Sequence, residues 1–191
     1  GVADLGVGLT GWGTAWADLD LDSGVELIVV HGEVPVTDPA ADAQLMQILA
    51  RSGDAGYQPL TTAGLDEVGP ILGRGSAVAD YDNDGDLDVA INTIGGDLLL
   101  LENSGAAGNW LVVEFDGFFP GAMVTATLPD GTTLRRELHA GSSYLSSEDP
   151  RLHFGLADAA RVAELVVRWP DGSTTVVRDV DVNQRLLVTP S

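Results

Sequence analysis

Asp80-Tyr81-Asp82-Asn83-Asp84-Gly85-Asp86-Leu87-Asp88 is the stretch on which the reading of this chain turns. Five carboxylates occupy alternate positions of a nine-residue segment, and apolar residues 89–91 follow at once. A hard cation such as Ca²⁺ takes six to eight oxygen ligands at roughly 2.3–2.6 Å, and alternate residues of a tight loop can turn theirs inward. Asp80, Asp82 and Asp84 supply side chains, and Asp86 at the seventh position can offer its backbone carbonyl. Asp88 can close the site with both oxygens, and Gly85 permits the sharp bend between. Without a cation the cluster is costly. Two unit charges ~4 Å apart repel by about 1 kcal/mol in water and roughly 4 kcal/mol at an effective dielectric of 20. The loop is not an EF-hand, which requires Glu at its twelfth position, because that position is Ile91.

Working outward, the same pattern stands 62 residues earlier. Residues 14–17 lead into Asp18-Leu19-Asp20-Leu21-Asp22-Ser23-Gly24-Val25-Glu26 and then an apolar run over 27–30, as 76–79 lead into the second loop. Asp18, Asp20, Asp22 and Glu26 are the matching ligands, with Ser23 in place of the bend glycine and Glu26 in place of the closing Asp. Strand, acidic loop, strand, repeated at this period, points to a propeller or another array of small sheet units. Between the repeats, Asp38 as N-cap and Pro39 at the first helical position predict a short helical insertion with Leu45, Ile48 and Leu49 on one face.

After the small-residue linker 102–109 the pattern changes to alternating strands and hairpin turns. Pro129-Asp130-Gly131-Thr132-Thr133 and Pro170-Asp171-Gly172-Ser173-Thr174 are near copies, and Asp-Gly between apolar alternations is a strong hairpin signal. The fold expected is all-β, with two domains. Residues 1–106 form a partial propeller-type region carrying the Asp loops, and residues 107–191 form an antiparallel β-sandwich.

Composition bounds the partners. The 191 residues hold 29 acidic and 9 basic residues, none of them lysine, for a net charge of −20. Such a surface repels nucleic acid and anionic membranes and favours cations. The 45% apolar content supports a packed core. The absence of Cys removes disulfides and thiolate metal sites. No stretch approaches the ~20 apolar residues that span a bilayer. Gly1 at the start, instead of Met, is expected of a chain whose signal peptide has been removed or of a fragment.

Other signals are discounted on their context. Gly6-x-Gly8-x-x-Gly11 has the spacing of a dinucleotide fingerprint, yet Gly11-Trp12-Gly13 follows where a helix should begin. His31, His139 and His153 are scattered, and no Ser pairs with a His and an acid. His153, inside the run 152–156, reads as a hydrogen-bonded core residue. Trp110 and Trp169 sit in strand alternations and read as core, while Trp12 and Trp16 remain available to stack on sugars.

The segment 75–88 resembles the FG-GAP (VCBS) repeat of integrin-type β-propellers. The C-terminal motifs Gly141-Ser142-Ser143-Tyr144-Leu145-Ser146, Leu152-His153-Phe154-Gly155-Leu156 and Val167-Arg168-Trp169-Pro170-Asp171-Gly172 resemble the ASPIC/UnbV domain of bacterial secreted proteins and the cartilage acidic protein family. The resemblance implies a secreted or cell-surface, calcium-bound, non-catalytic protein. Two repeats are fewer than a closed propeller needs. The expectation is therefore a structural or adhesive module that associates into a homo-oligomer or filament. The alternative is a module binding an extracellular glycan or protein ligand, as part of a larger secreted protein or enzyme.

Overall fold

The computed structural model describes residues 5–53, 56–60 and 64–190. The first part is built of two antiparallel sheets. Strands β1 (Gly11–Ala17), β2 (Glu26–His31), β3 (Gln47–Arg51) and β4 (Tyr57–Pro59) form a four-stranded meander in sequence order. After α1 (Leu65–Val68), strands β5 (Gly73–Ala79), β6 (Asp88–Thr93) and β7 (Leu99–Leu101) form a three-stranded meander. The 62-residue repeat of the sequence is a repeat of structure. β1 pairs with β2, and β5 with β6, in the same register, and each pair breaks at the same place. The breaks lie between Gly11 and Thr14 and between Gly73 and Ser76. Opposite faces of the repeated strands meet in one apolar cluster: Ala15, Ala17, Ile28 and Val30 from the first sheet pack with Val78, Val89 and Ile91 from the second, which stand one position out of step with them across the repeat. Among the described residues the sheets do not close into a barrel or ring.

The helix expected from Asp38 onward does not form. Residues 38–42 make a turn closed by the Asp42 amide on the Asp38 carbonyl (2.8 Å), and Ile48 and Leu49 lie in strand β3. There they pair with Ile28 and Leu27 of β2 and are buried, while Leu45 is exposed. A ladder of backbone bonds onto a buried neighbour outweighs a local helix start whose apolar face has nothing to pack on. Among the described residues the helix is the four-residue α1, which buries no side chain.

The second part contains β8 (Trp110–Phe115), β9 (Met123–Thr127), β10 (Thr133–Glu137), β11 (Leu152–Gly155), β12 (Arg161–Arg168), β13 (Thr174–Asp181) and β14 (Gln184–Val188). One sheet has the order β10-β9-β12-β13 and is antiparallel throughout; the other has the order β11-β8-β14. Both sheets contribute to a single core that includes Leu111 and Val113 (β8), Val124 (β9), Phe154 (β11) and Leu165 and Val167 (β12). This is a sandwich, with one departure from the expected antiparallel pairing: β14 runs parallel to β8. The near-copied turns are structural copies. Gly131 (φ 91°) and Gly172 (φ 88°) take left-handed backbone, and each preceding Asp accepts the amide two residues on (2.8 and 2.9 Å). Trp169 is buried in the core against Phe115 and Phe119, as expected. Trp110 is not core; it is half-buried and its ring lies against Gly85 of the second Asp loop.

Candidate metal centre

Each Asp loop joins the first two strands of its sheet unit, so the strand register fixes where the loop begins and ends. The two loops share one backbone course. Positions four and six take positive φ in both: Leu21 (61°) and Ser23 (78°), then Asn83 (64°) and Gly85 (103°). Their internal bonds also match. The third-position Asp accepts the fifth-position amide, as Asp22 N to Asp20 Oδ1 (3.3 Å) and Asp84 N to Asp82 Oδ1 (3.2 Å). The fifth-position Asp accepts the seventh amide, as Gly24 N to Asp22 Oδ1 (2.6 Å) and Asp86 N to Asp84 Oδ1 (2.9 Å). The ninth residue accepts the second amide, as Leu19 N to Glu26 Oε2 (2.9 Å) and Tyr81 N to Asp88 Oδ2 (2.8 Å). Glu26 therefore does for the first loop what Asp88 does for the second.

The structure brings carboxylate oxygens of Asp18, Asp20 and Asp22 within 4.8 Å of one another, and likewise those of Asp80, Asp82 and Asp88. Asp84, Asp86 and Glu26, all expected as ligands, stand outside these two groups. Asp84 and Glu26 shape their loops through the bonds above, and Asp86 Oδ2 accepts the Ala106 amide (3.2 Å).

The first Asp of each loop is the informative one. Asp18 is 1% exposed and Asp80 3%, and all four of their carboxylate oxygens are buried without a hydrogen-bond partner among the described residues. A buried carboxylate normally finds donors, because leaving it unpaired costs several kcal/mol, on the order of a desolvated ion's penalty. Burial pushes Asp18 up to about 7, the charges of Glu26, Asp22 and Asp20 add to the rise, and Arg136 opposes it. Burial likewise raises Asp80; the amides of Gly85 and Asn83 point its way and offset part of the rise without reaching hydrogen-bonding geometry. Burial also raises Glu26 and Asp86. Paired, buried, unpartnered oxygens on an oxygen-only donor set fit a hard cation in each loop.

Residues from the sandwich wall the loops, and no local sequence signal pointed to most of them. Arg151 donates to the Asp80 carbonyl (3.0 Å) and to Asn83 Oδ1 (3.0 Å). Arg185 donates to the same Asn83 oxygen (2.7 Å). His153, expected as a hydrogen-bonded core residue, donates Nε2–H to the Gly85 carbonyl (2.8 Å), and burial lowers it to about 4, so it is neutral. Gly155 lies so close to loop one that a Cβ there would collide with the Asp18 carboxylate. Arg136, lowered by burial and drawn back by Asp18, borders the cavities beside both loops. Sequence carried a trace of this wall only in the run 152–156.

Fold and site together define an all-β protein in which two Asp-rich loops of a repeated sheet unit are pressed against a β-sandwich. Residues 116–191 match the family model described as ASPIC and UnbV. Over most of its length the chain is similar to cartilage acidic protein 1. It is 29% identical to the protein of Xenopus tropicalis over 177 residues, which cover 87% of this chain and 27% of that relative. Identity is 31% over 163 residues with the Mus musculus protein (80% and 25%) and with the Homo sapiens protein (80% and 24%). The chain thus spans about a quarter of the length of these curated relatives. Among the described residues no helix is long and apolar enough to cross a membrane.

Proposed function

We propose that this chain is a calcium-binding, non-catalytic structural module of an extracellular protein, built from two FG-GAP-type propeller units and an ASPIC/UnbV sandwich. The observation that carries the reading is the pair of buried first-position carboxylates, Asp18 and Asp80, whose four oxygens have no partner among the described residues. Asp20 and Asp22 complete the first donor group, and Asp82 and Asp88 the second. Calcium supplies the compensating charge when bound; the chain supplies burial, loop shape and exclusion of water. Four-stranded meanders are the blade unit of propellers, and the first unit is one, with the second repeating its first three strands, which supports the repeat assignment. The relatives are named as acidic proteins of cartilage, and this chain shares the acidity. Extracellular modules bind calcium with dissociation constants of about 10⁻⁴–10⁻³ M, and that range is expected here.

Calcium titration by calorimetry tests the reading. Two sites are expected, with Asp18→Asn and Asp80→Asn each removing one. Asp18→Asn should also raise the melting temperature of the chelator-treated protein at pH 8, because it deletes a buried charge, while forfeiting part of the stabilisation that calcium gives by mass action. An unchanged stoichiometry of two in Asp80→Asn would falsify the assignment. A glycan-binding reading has one observation in its favour. Trp16, 54% exposed, packs edge-on against Tyr57 at 5.4 Å next to the first loop. A glycan array scored against Trp16→Ala decides it, and an identical profile for both proteins removes it.

A further inference from the structure

Strand β11 and its flanks meet both Asp loops by alternation. Arg151 and His153 face the second loop, taking the carbonyls of Asp80 (3.0 Å) and Gly85 (2.8 Å). Two residues on, Gly155 is pressed against the Asp18 carboxylate and the Leu21 backbone of the first loop. The Ala157 amide then donates to the Leu21 carbonyl (2.9 Å). His153 and Gly155 share one side of β11 because side chains alternate along a strand; Arg151 stands just before the strand, and Ala157 lies in the turn after it at φ 49°. Asn103 makes a second bridge from the repeat side. Its side-chain amide donates to the Leu19 carbonyl of the first loop (2.7 Å) and its backbone amide to Asp88 Oδ1 of the second (2.9 Å).

The loop atoms held in this way are chiefly backbone carbonyls next to candidate ligands, so their positions set where the carboxylates point. Arg151 is itself fixed, paired with Asp149 and hydrogen-bonded from Nε to Asp149 Oδ2 (2.7 Å). The strand is anchored behind by Leu152, Phe154 and Leu156 in the sandwich core. The wall is therefore rigid on its far side and shared on its near side.

We infer that β11 and Asn103 are the common wall of two composite calcium sites, so that filling one loop tightens the other and locks the sandwich onto the repeats. The inference rests on the calcium reading proposed above. Arg151, His153 and Asn103 are positioning residues in it, since none of them is a ligand. Coupling of this kind is reciprocal: the factor by which the first ion aids the second equals the reverse.

The experiment is a calorimetric calcium titration of the full chain in three forms: wild type, Asp20→Ala to disable the first loop, and Asp82→Ala to disable the second. Each surviving site should bind at least about 5-fold more weakly than in the wild type, the lower end of ordinary coupling factors. Arg151→Ala, whose side chain touches only the second loop, should also weaken the first, and Arg151→Lys should restore part of the loss. Surviving sites of wild-type affinity overturn the coupling and leave the calcium reading standing. No calcium binding by the wild type overturns both. Hydrogen exchange on the wild-type chain frees the test from the folding of any variant. Calcium should slow exchange across residues 151–157, which hold none of the proposed ligands, and equal rates with calcium and with chelator also overturn the inference.

Discussion

Ser23 and Gly85 occupy the same bend in the two loops, at φ 78° and 103°. A left-handed backbone costs a side-chain-bearing residue roughly 1–2 kcal/mol and a glycine almost nothing. The Ser23 hydroxyl is in addition buried without a partner. Ser23→Gly is accordingly expected to tighten calcium at the first loop about two- to five-fold, since ~1 kcal/mol is close to a factor of five; an unchanged or weaker constant in calorimetry contradicts the strain argument. Asp18 sets a second expectation. With its carboxyl raised to about 7, it holds a proton in the ion-free protein at pH 6 and has lost it at pH 8. Calcium requires the carboxylate, so affinity at the first loop should climb as pH rises through about 7 and then level off. Titrations in buffers of differing ionisation enthalpy should register release of close to one proton at pH 6 and little at pH 8. Equal release at both values would place the raised carboxyl elsewhere.

At the scale of elements, what the sequence revealed and what it concealed follow from the range of the forces involved. The Asp loops and the Pro-Asp-Gly turns were legible because their geometry depends on residues a few positions apart: alternating carboxylates, a glycine at a positive φ, an Asp accepting the amide two residues on. The segment after Asp38 misled because its apolar spacing suits a helix locally, while the partner that makes it a strand, β2, lies some twenty residues back. The parallel pairing of β14 with β8 was hidden for the same reason. So was the wall of the metal centre, where Arg151 reaches a carbonyl 71 residues away. Gly85 shows the two ranges converging on one residue. Its φ of 103° is a local demand, and the Trp110 ring occupying the space of a Cβ is a distant one. Gly85→Ala should therefore cost more than backbone strain alone, about 2 kcal/mol or more, and Trp110→Ala should recover part of it in the double variant. Additive losses in chemical denaturation would show that the ring yields freely.

For the molecule as a whole, the unfinished feature is the second sheet. Among the described residues it ends at β7 after three strands, and Leu100 of that strand and Leu98 just before it are 46% and 68% exposed. A free edge with apolar side chains and no lysine to blunt it is a template for another strand. The net charge of −20 opposes close approach of copies, and bound calcium or high salt relieves that repulsion. Self-association into a homo-oligomer or filament is expected in calcium and is expected to reverse in chelator at low salt. Light scattering after size exclusion measures it, and a monomer at high concentration in saturating calcium refutes it.

Trp12 and Arg74 hold the same place in consecutive units, each the middle residue of a Gly-x-Gly that opens the first strand of its sheet. The guanidinium of one lies 4.3 Å from the ring centroid of the other, and Arg74 is further pinned by the carbonyls of Gly32, Gly73 and Glu33. The attraction needs one cation and one aromatic face. Two first units brought together would offer two rings and no cation, and two second units would set guanidinium against guanidinium. The contact needs one unit of each kind, so it fits the first unit against the second and neither against a copy of itself.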